Sequence, residues 1–285
     1  MRIGLCTDSH AQIPPEVAQR YGIEVVPITV RIDDQEYLDG VDIDADGFHS
    51  MLEGSMLEGA ARPVVTIALP SSGQFALAYE ALLDRGCTAI LSVHPAASAS
   101  GTLNAARLAA HQMGVPVRLV DTGTTGFGVG CCVWAAADAV AAGASLEEAA
   151  TVAESLAPSI GTVCVGPDCL GHDCVGSSVS GSTAGANEGI PVLALRDGQM
   201  HVVDRVASMG EAIAAMAAFT IAWGDRLHVG IGSASPSASP LADALADAVG
   251  EVATIRDVMR YRIGPSMGGR TQPDTIECFM FPSAT

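Results

Sequence analysis

The 285-residue sequence predicts an α/β fold in two domains, the first on a parallel sheet and the second mixed α/β. Three observations predict it. Short apolar runs alternate with Ala-rich helical stretches through the first half, the pattern of βα units. Four such runs end in clusters of small hydroxyl residues. Arg2–Leu5 leads into Thr7-Asp8-Ser9, Val64–Leu69 into Pro70-Ser71-Ser72-Gly73, Ala89–Val93 into Ser98-Ala99-Ser100-Gly101-Thr102, and Val115–Val120 into Asp121-Thr122-Gly123-Thr124-Thr125. Near Pro158 the helices thin out and strand-like segments alternate with Gly and Ser turns, which puts a boundary near 157, between domains 1–157 and 158–285.

In chain order, Arg2–Cys6 is a strand and Pro14–Tyr21 a helix started by Pro14-Pro15. Ile23–Ile32, rich in β-branched residues, is one strand broken at Pro27, and Asp33-Asp34-Gln35 is a turn. Asp46–Leu57 is an amphipathic helix and Glu58–Arg62 an irregular connection. Val64–Leu69, Ala89–Val93 and Val117–Val120 are strands, interleaved with helices over Gly73–Arg85 and Thr102–Met113. Gly128–Ala142 is a helix so apolar that it must be buried. Ser145–Leu156 opens on Ser-Leu-Glu-Glu, the form of a capping box between Ser145 and Glu148. In the second half, Thr162–Val165, Ile190–Leu195, Met200–Val206, Leu227–Gly232 and Ile276–Phe281 are strands, with a hairpin at Arg196-Asp197-Gly198-Gln199. Met209–Trp223 and Leu241–Val249 are helices.

Composition narrows the function. The chain is 49% hydrophobic and 4% aromatic, so its cores are built from Ala, Val, Ile, Leu and Met. Its 32 acidic and 14 basic residues give a formal charge of −18, and every basic residue is Arg. Such a surface repels nucleic acid and anionic membranes. The start of the chain lacks a secretory pattern and its apolar runs are too short to span a bilayer, so a cytoplasmic protein without stable membrane insertion is expected. Most of the eight Cys read as small buried hydrophobes. In a parallel sheet, ligands sit beyond the carboxyl ends of the strands, where the hydroxyl clusters fall. Hydroxyls and free N–H groups there suit a carboxylate or phosphate.

Several landmarks, taken in order, resemble the DegV family of fatty-acid-binding proteins. They are Thr7-Asp8-Ser9, Val25-Val26-Pro27 with Tyr37-Leu38-Asp39-Gly40, Pro70-Ser71-Ser72-Gly73-Gln74-Phe75, Ser100-Gly101-Thr102, Asp121-Thr122 with Gly126, Gly128 and Gly130, and Asp204-Arg205-Val206. The resemblance implies a two-domain α/β protein holding one long-chain fatty acid between its domains, with no further cofactor and no chemistry of its own. It also implies presentation of the carboxylate to a separate fatty acid kinase. The chain departs from the family at Ile67-Ala68, where a Thr-Ser pair is expected, and Thr66 beside them points to the opposite strand face. It departs again at Gly171-His172-Asp173-Cys174-Val175-Gly176, in place of a Gly-Gly-Arg-Ile element. At Arg270-Thr271-Gln272-Pro273-Asp274 it has Arg where the family has a His that faces the carboxylate.

On this reading the carboxylate is held by Ser98, Ser100, Gly101, Thr102, Arg270 and Thr271, supported by Thr7, Asp8, Ser9, Thr66, Asp121 and Arg205. Arg270 sits in a Gly-rich loop and can fork onto a carboxylate, or else pair with Asp274 or water. Ser100 or Thr102 caps the following helix, a role compatible with anion binding. Asp8 and Asp121 either orient loop backbone or hold a divalent metal. The latter would make the chain a metal-dependent enzyme acting on a small phosphate or carboxylate substrate. A triad of Ser100, His94 and Asp121 lacks the Gly-x-Ser-x-Gly context of a nucleophile. Cys164, Cys169, His172 and Cys174 lack the paired Cys-x-x-Cys spacing of a structural zinc site.

Overall fold

The computed structural model describes residues 1–57, 63–166, 189–196, 199–268, 271 and 273–283. Its first half contains β1 (Ile3–Asp8), α1 (Pro15–Tyr21), β2 (Glu24–Val26), β3 (Thr29–Ile32), β4 (Gln35–Leu38), α2 (Ala45–Leu57), β5 (Val65–Ala68), α3 (Ser72–Asp84), β6 (Ala89–His94), α4 (Thr102–Ala110), β7 (Val117–Asp121), α5 (Phe127–Ala141) and α6 (Leu146–Leu156). The second half contains β8 (Gly161–Val165), β9 (Ile190–Arg196), β10 (Gln199–Val206), α7 (Met209–Ala222), β11 (Leu227–Ser233), α8 (Ser239–Gly250), β12 (Ile255–Arg262), α9 (Pro265–Gly268) and β13 (Ile276–Pro282).

Three sheets organise these elements. A parallel sheet runs β2-β1-β6-β7, and a six-stranded mixed sheet runs β10-β9-β8-β13-β11-β12. A small antiparallel sheet, β4-β3-β5, packs on α2 through Val30, Ile32, Phe48 and Leu52. Side-chain alternation builds the layers. In the parallel sheet, Leu5, Leu91 and Val93 face α5, while Cys6 and Ile90 face α3 and α4. In the mixed sheet, Phe279 and Phe281 join the α5 core, while Cys278 and Met280 join the core under α7 and α8. One helix, α5, is therefore shared by both sheets, as its sequence, apolar but for Asp138, requires.

Two glycines let it fit. A Cβ built on Gly130 would lie 2.4 Å from the Ala11 carbonyl oxygen, and one on Gly230 would lie 2.1 Å from the Phe127 ring. The capping box is present, with Glu148 N–H donating to Ser145 Oγ at 3.3 Å and Ser145 N–H to Glu148 Oε2 at 2.8 Å. β9 and β10 pair antiparallel from Arg196 opposite Gln199, as the hairpin requires, though Asp197 and Gly198 lie outside the described residues. Glu58–Arg62 also lie outside them.

Three expectations need correction. Ile23–Ile32 is two strands in two sheets, because Pro27, which has no N–H to donate, sits where the chain leaves the parallel sheet. Val64–Leu69 is not a strand of the parallel sheet; β5 pairs antiparallel with β3, so the parallel sheet has four strands and α3 reaches it from outside. β12 was not expected at all. Arg256, Asp257, Arg260 and Arg262 disguise it, and an edge strand tolerates such charges.

Gly130→Ala tests the shared-helix packing by its sign. In an exposed helix this change stabilises by about 1 kcal/mol. Against the Ala11 carbonyl it should instead destabilise by about 1–3 kcal/mol, the scale of overpacking, measured by denaturant unfolding.

Candidate functional site

The carboxyl ends of β1, β6 and β7 lie side by side, with His94 in register with Asp121 and Cys6 with Ser92. The loops that leave them are fastened to one another by short-range bonds. Thr7 Oγ1 donates to the Val93 carbonyl at 2.8 Å, and Thr122 Oγ1 to the His94 carbonyl at 2.9 Å. Ala96 N–H donates to the Thr124 carbonyl at 2.9 Å, and Ala97 N–H to both Asp121 oxygens at 3.3 Å. Asp121 also accepts from Gly123 N–H at 3.1 Å. Ser100 Oγ bonds Thr102 Oγ1 at 2.8 Å and accepts from Thr102 N–H at 3.3 Å, so Ser100 satisfies the first amide of α4. Ser98 and Gly101 are exposed on the same loop, and a Cβ on Gly101 would meet the Leu69 side chain at 3.3 Å.

Asp8 is buried and both of its oxygens are engaged. Oδ1 accepts from His10 N–H at 3.1 Å and Oδ2 lies 2.8 Å from His94 Nδ1. His94 Nε2 lies 2.7 Å from Ser92 Oγ, so the ring's partners are Asp8 and Ser92 rather than Asp121 and Ser100. This has the spacing of a hydrolase triad. Ser92, however, is fully buried on β6 with Tyr79 as its other partner at 2.9 Å, and no substrate can reach it.

The segment from the second half that carries Thr271 docks on the same end. Gln12 Nε2 donates to Ser9 O at 2.9 Å and to Ser266 Oγ at 3.1 Å, and Gly264 N–H donates to Gln12 Oε1. Ser266 N–H donates to Asp39 Oδ2 at 3.2 Å. Ser9 Oγ accepts from Ile28 N–H at 3.0 Å. Burial raises the Asp39 pKa above its ordinary value, opposed by its hydrogen bonds from Ser266 and Ser9. Thr271 is buried, its Oγ1 donating to Met267 O at 3.1 Å, and a Cβ on Gly126 would lie 3.4 Å from Met267 Cε. The structure thus gathers Thr7, Asp8, Ser9, Ser98, Ser100, Gly101, Thr102, Asp121 and Thr271 at one end of the molecule. Thr66 is exposed on β5 opposite Arg31, and Arg205 is half-buried on β10, the outer strand of the mixed sheet. Arg270, Cys169, His172 and Cys174 lie outside the described residues; Cys164 is core on β8. Sequence reasoning missed Gln12 and Ser266 as the junction. The signal at Gln12 is its left-handed backbone (φ 53°), which appears only in the fold.

Beside this junction, a cavity of about 370 Å³ is lined by the start of α1, by Asp39–Val41 and Asp44–Asp46, and by Tyr261, Arg262, Gly264 and Pro265. Its volume suits a small molecule. Tyr261 forms part of its lining, and behind it Glu277 accepts the Tyr261 O–H at 2.6 Å. Burial pushes the Glu277 carboxyl up to about 7. Among the described residues no group of three or more His, Cys, Asp or Glu is arranged to hold a metal, and no helix is long and apolar enough to cross a membrane.

The family model described as an uncharacterised protein of the DegV family matches residues 2–283. The chain belongs to the DegV family. A DegV domain-containing protein of Streptomyces coelicolor is 37% identical over 155 residues, 54% of this chain and 53% of that protein. The match therefore spans about half the length of that relative. A DegV family protein from Thermus thermophilus, described as fatty acid binding, superimposes with a TM-score of 0.79 at 25% identity, covering 99% of this chain and all of that one. DegV from Bacillus subtilis superimposes with a TM-score of 0.75 over 99% of each chain at 17% identity, which shows the fold alone. The DegV fold is thus shared along the whole length.

The Glu277 carboxyl makes stability depend on pH. Its folded pKa of about 7 lies above the ordinary 4.5, so the folded state holds the proton more tightly. The stabilisation is complete below 4.5 and is lost as pH rises through 7, about 3 kcal/mol in total. Glu277→Gln keeps an acceptor for Tyr261 and should flatten this slope, read as unfolding free energy at pH 5 and pH 8.

Proposed function

We propose that this chain is a non-catalytic carrier that holds one long-chain fatty acid and presents its carboxylate to a partner kinase. The observation that carries the reading is the likeness, over the full length of both chains, to the Thermus thermophilus protein described as fatty acid binding. Two further structural neighbours are described as binding vaccenic acid and stearic acid. The carboxylate lies at the strand-end loops, held by Ser98, Ser100, Gly101, Thr102, Arg270 and Thr271. The acyl tail runs into the second domain, 158–285, and the first domain, 1–157, supplies the hydroxyl loops. Thr7, Asp8, Ser9 and Asp121 act behind them, since their oxygens already hold backbone or side-chain partners. The protein works in the cytoplasm and needs no cofactor beyond its ligand. An enzyme using Asp8 and Asp121 to hold a metal has less support, because both carboxylates are committed to loop geometry.

Native mass spectrometry of the bacterially produced protein should show a fatty-acid adduct that is lost on denaturation. Purified protein with neither bound lipid nor measurable fatty-acid affinity would refute the carrier. Arg270→Ala should weaken fatty-acid binding by about 1.5–3 kcal/mol, the scale of a charge-assisted hydrogen bond, read by displacement of a fluorescent fatty acid. Unchanged affinity removes Arg270 from the site.

A further inference from the structure

We infer that His94 is a positioning residue for the carboxylate loop, acting through the Ser98–Thr102 segment that it leads into; this rests on the carrier reading above. His94 is the last residue of β6, and the loop with Ser98, Ser100 and Gly101 leaves the sheet directly from it. Both ends of the residue are fixed. Its carbonyl oxygen accepts from Thr122 Oγ1 at 2.9 Å and from Thr122 N–H at 3.2 Å, which ties the loop's origin to β7. Its ring is held from two sides, by Asp8 Oδ2 at 2.8 Å and Ser92 Oγ at 2.7 Å, with the Phe75 ring edge-on at 5.0 Å.

The ring belongs to a string of four buried side chains that use each donor once. Tyr79 O–H donates to Ser92 Oγ at 2.9 Å. Ser92 then donates to Nε2, and Nδ1–H to Asp8, when Nδ1 carries the ring proton. Asp8 ends the string by accepting His10 N–H at 3.1 Å, which holds the turn after β1. Tyr79, Ser92, His94 and Asp8 are all fully buried, so an interruption would leave a polar group unpaired inside the protein. The imidazole therefore ties the end of β6 to the turn after β1, while the same residue's backbone carbonyl ties it to β7. None of its polar atoms reaches the surface, so it cannot touch a ligand itself.

The role differs from plain core packing in what it predicts. A packing residue would lower stability and leave the loop's relative preferences alone. Partners that orient the ligands of a metal change affinity by about tenfold or more when lost, and the same scale is expected of a group that orients a carboxylate loop. His94→Phe and the milder His94→Gln are compared with the full-length wild type, folding being checked by circular dichroism. Displacement of a fluorescent fatty acid by palmitic acid and by its methyl ester is then measured. His94→Phe should lose about tenfold for the acid and little for the ester, while His94→Gln, which keeps an N–H for Asp8, should retain most of the acid preference. Amide hydrogen exchange without ligand should speed up at 96–100 in His94→Phe, with the α4 interior unchanged.

An acid-over-ester ratio and exchange at 96–100 equal to wild type would overturn the inference. If His94→Phe does not fold, the same two readouts on His94→Gln decide, as a partial loss of the ratio with faster exchange or as neither. A wild type that binds acid and ester alike would refute the carboxylate site itself, and the exchange result would still decide whether His94 holds the loop.

Discussion

The burial of one helix between two sheets constrains everything else in this molecule. α5 presents almost no polar side chain, so it has no solvent-facing side and must be covered all round. The parallel sheet covers one flank and the Phe279–Phe281 face of the mixed sheet covers another. Phe127, at its first turn, stacks on Tyr261 at 4.3 Å and meets Phe279 edge-on at 5.5 Å, so both halves of the chain share its aromatic contacts. Burying a side chain of this size contributes about 1.5–3 kcal/mol. The two sheets are therefore registered to each other by packing, and the loops at their ends inherit that placement.

The strand-end loops show how a site is made rigid from short polar residues. Most of the hydroxyls and carboxylates that the sequence displays there are turned onto protein partners. Thr7 holds Val93, Thr122 holds His94, Asp121 holds Ala97 and Gly123, and Gln12 holds Ser266. Such bonds fix the positions of a few remaining groups without ligand present, which lowers the ordering cost of binding. Ser98 is exposed on this loop beside Ala97, whose N–H is held by Asp121.

Much of the fold was legible because local chemistry and global role agree. The all-apolar run at α5, the Ser145–Glu148 box and the pairing of Arg196 with Gln199 each follow from a few adjacent residues. The rest depended on strand order. β2 and β3 look continuous, and only the sheet assignment separates them. The sequence pairs His94 with Ser100 and Asp121, its neighbours in the chain and on β7, whereas its ring turns to Asp8 on β1. Choosing between those partners requires knowing which sheet face His94 occupies, and the sequence does not state it. The Gln12–Ser266 contact spans 254 residues and carries no local signal.

Charge sets the last constraint. A chain with a formal charge of −18 repels a carboxylate at long range, although salt damps this beyond about 8 Å. Any carboxylate ligand must therefore be held at contact distance, by groups whose positive character is local. Neutral hydroxyls and the α4 terminus offer partial charge only. Much of the guanidinium charge is already neutralised: Arg262 lies on Asp46, Arg118 on Glu147 and Glu154, Arg85 on Glu24 and Arg260 on Asp243. The role proposed for Arg270 answers that constraint, because a guanidinium forks onto a carboxylate through two charge-assisted bonds.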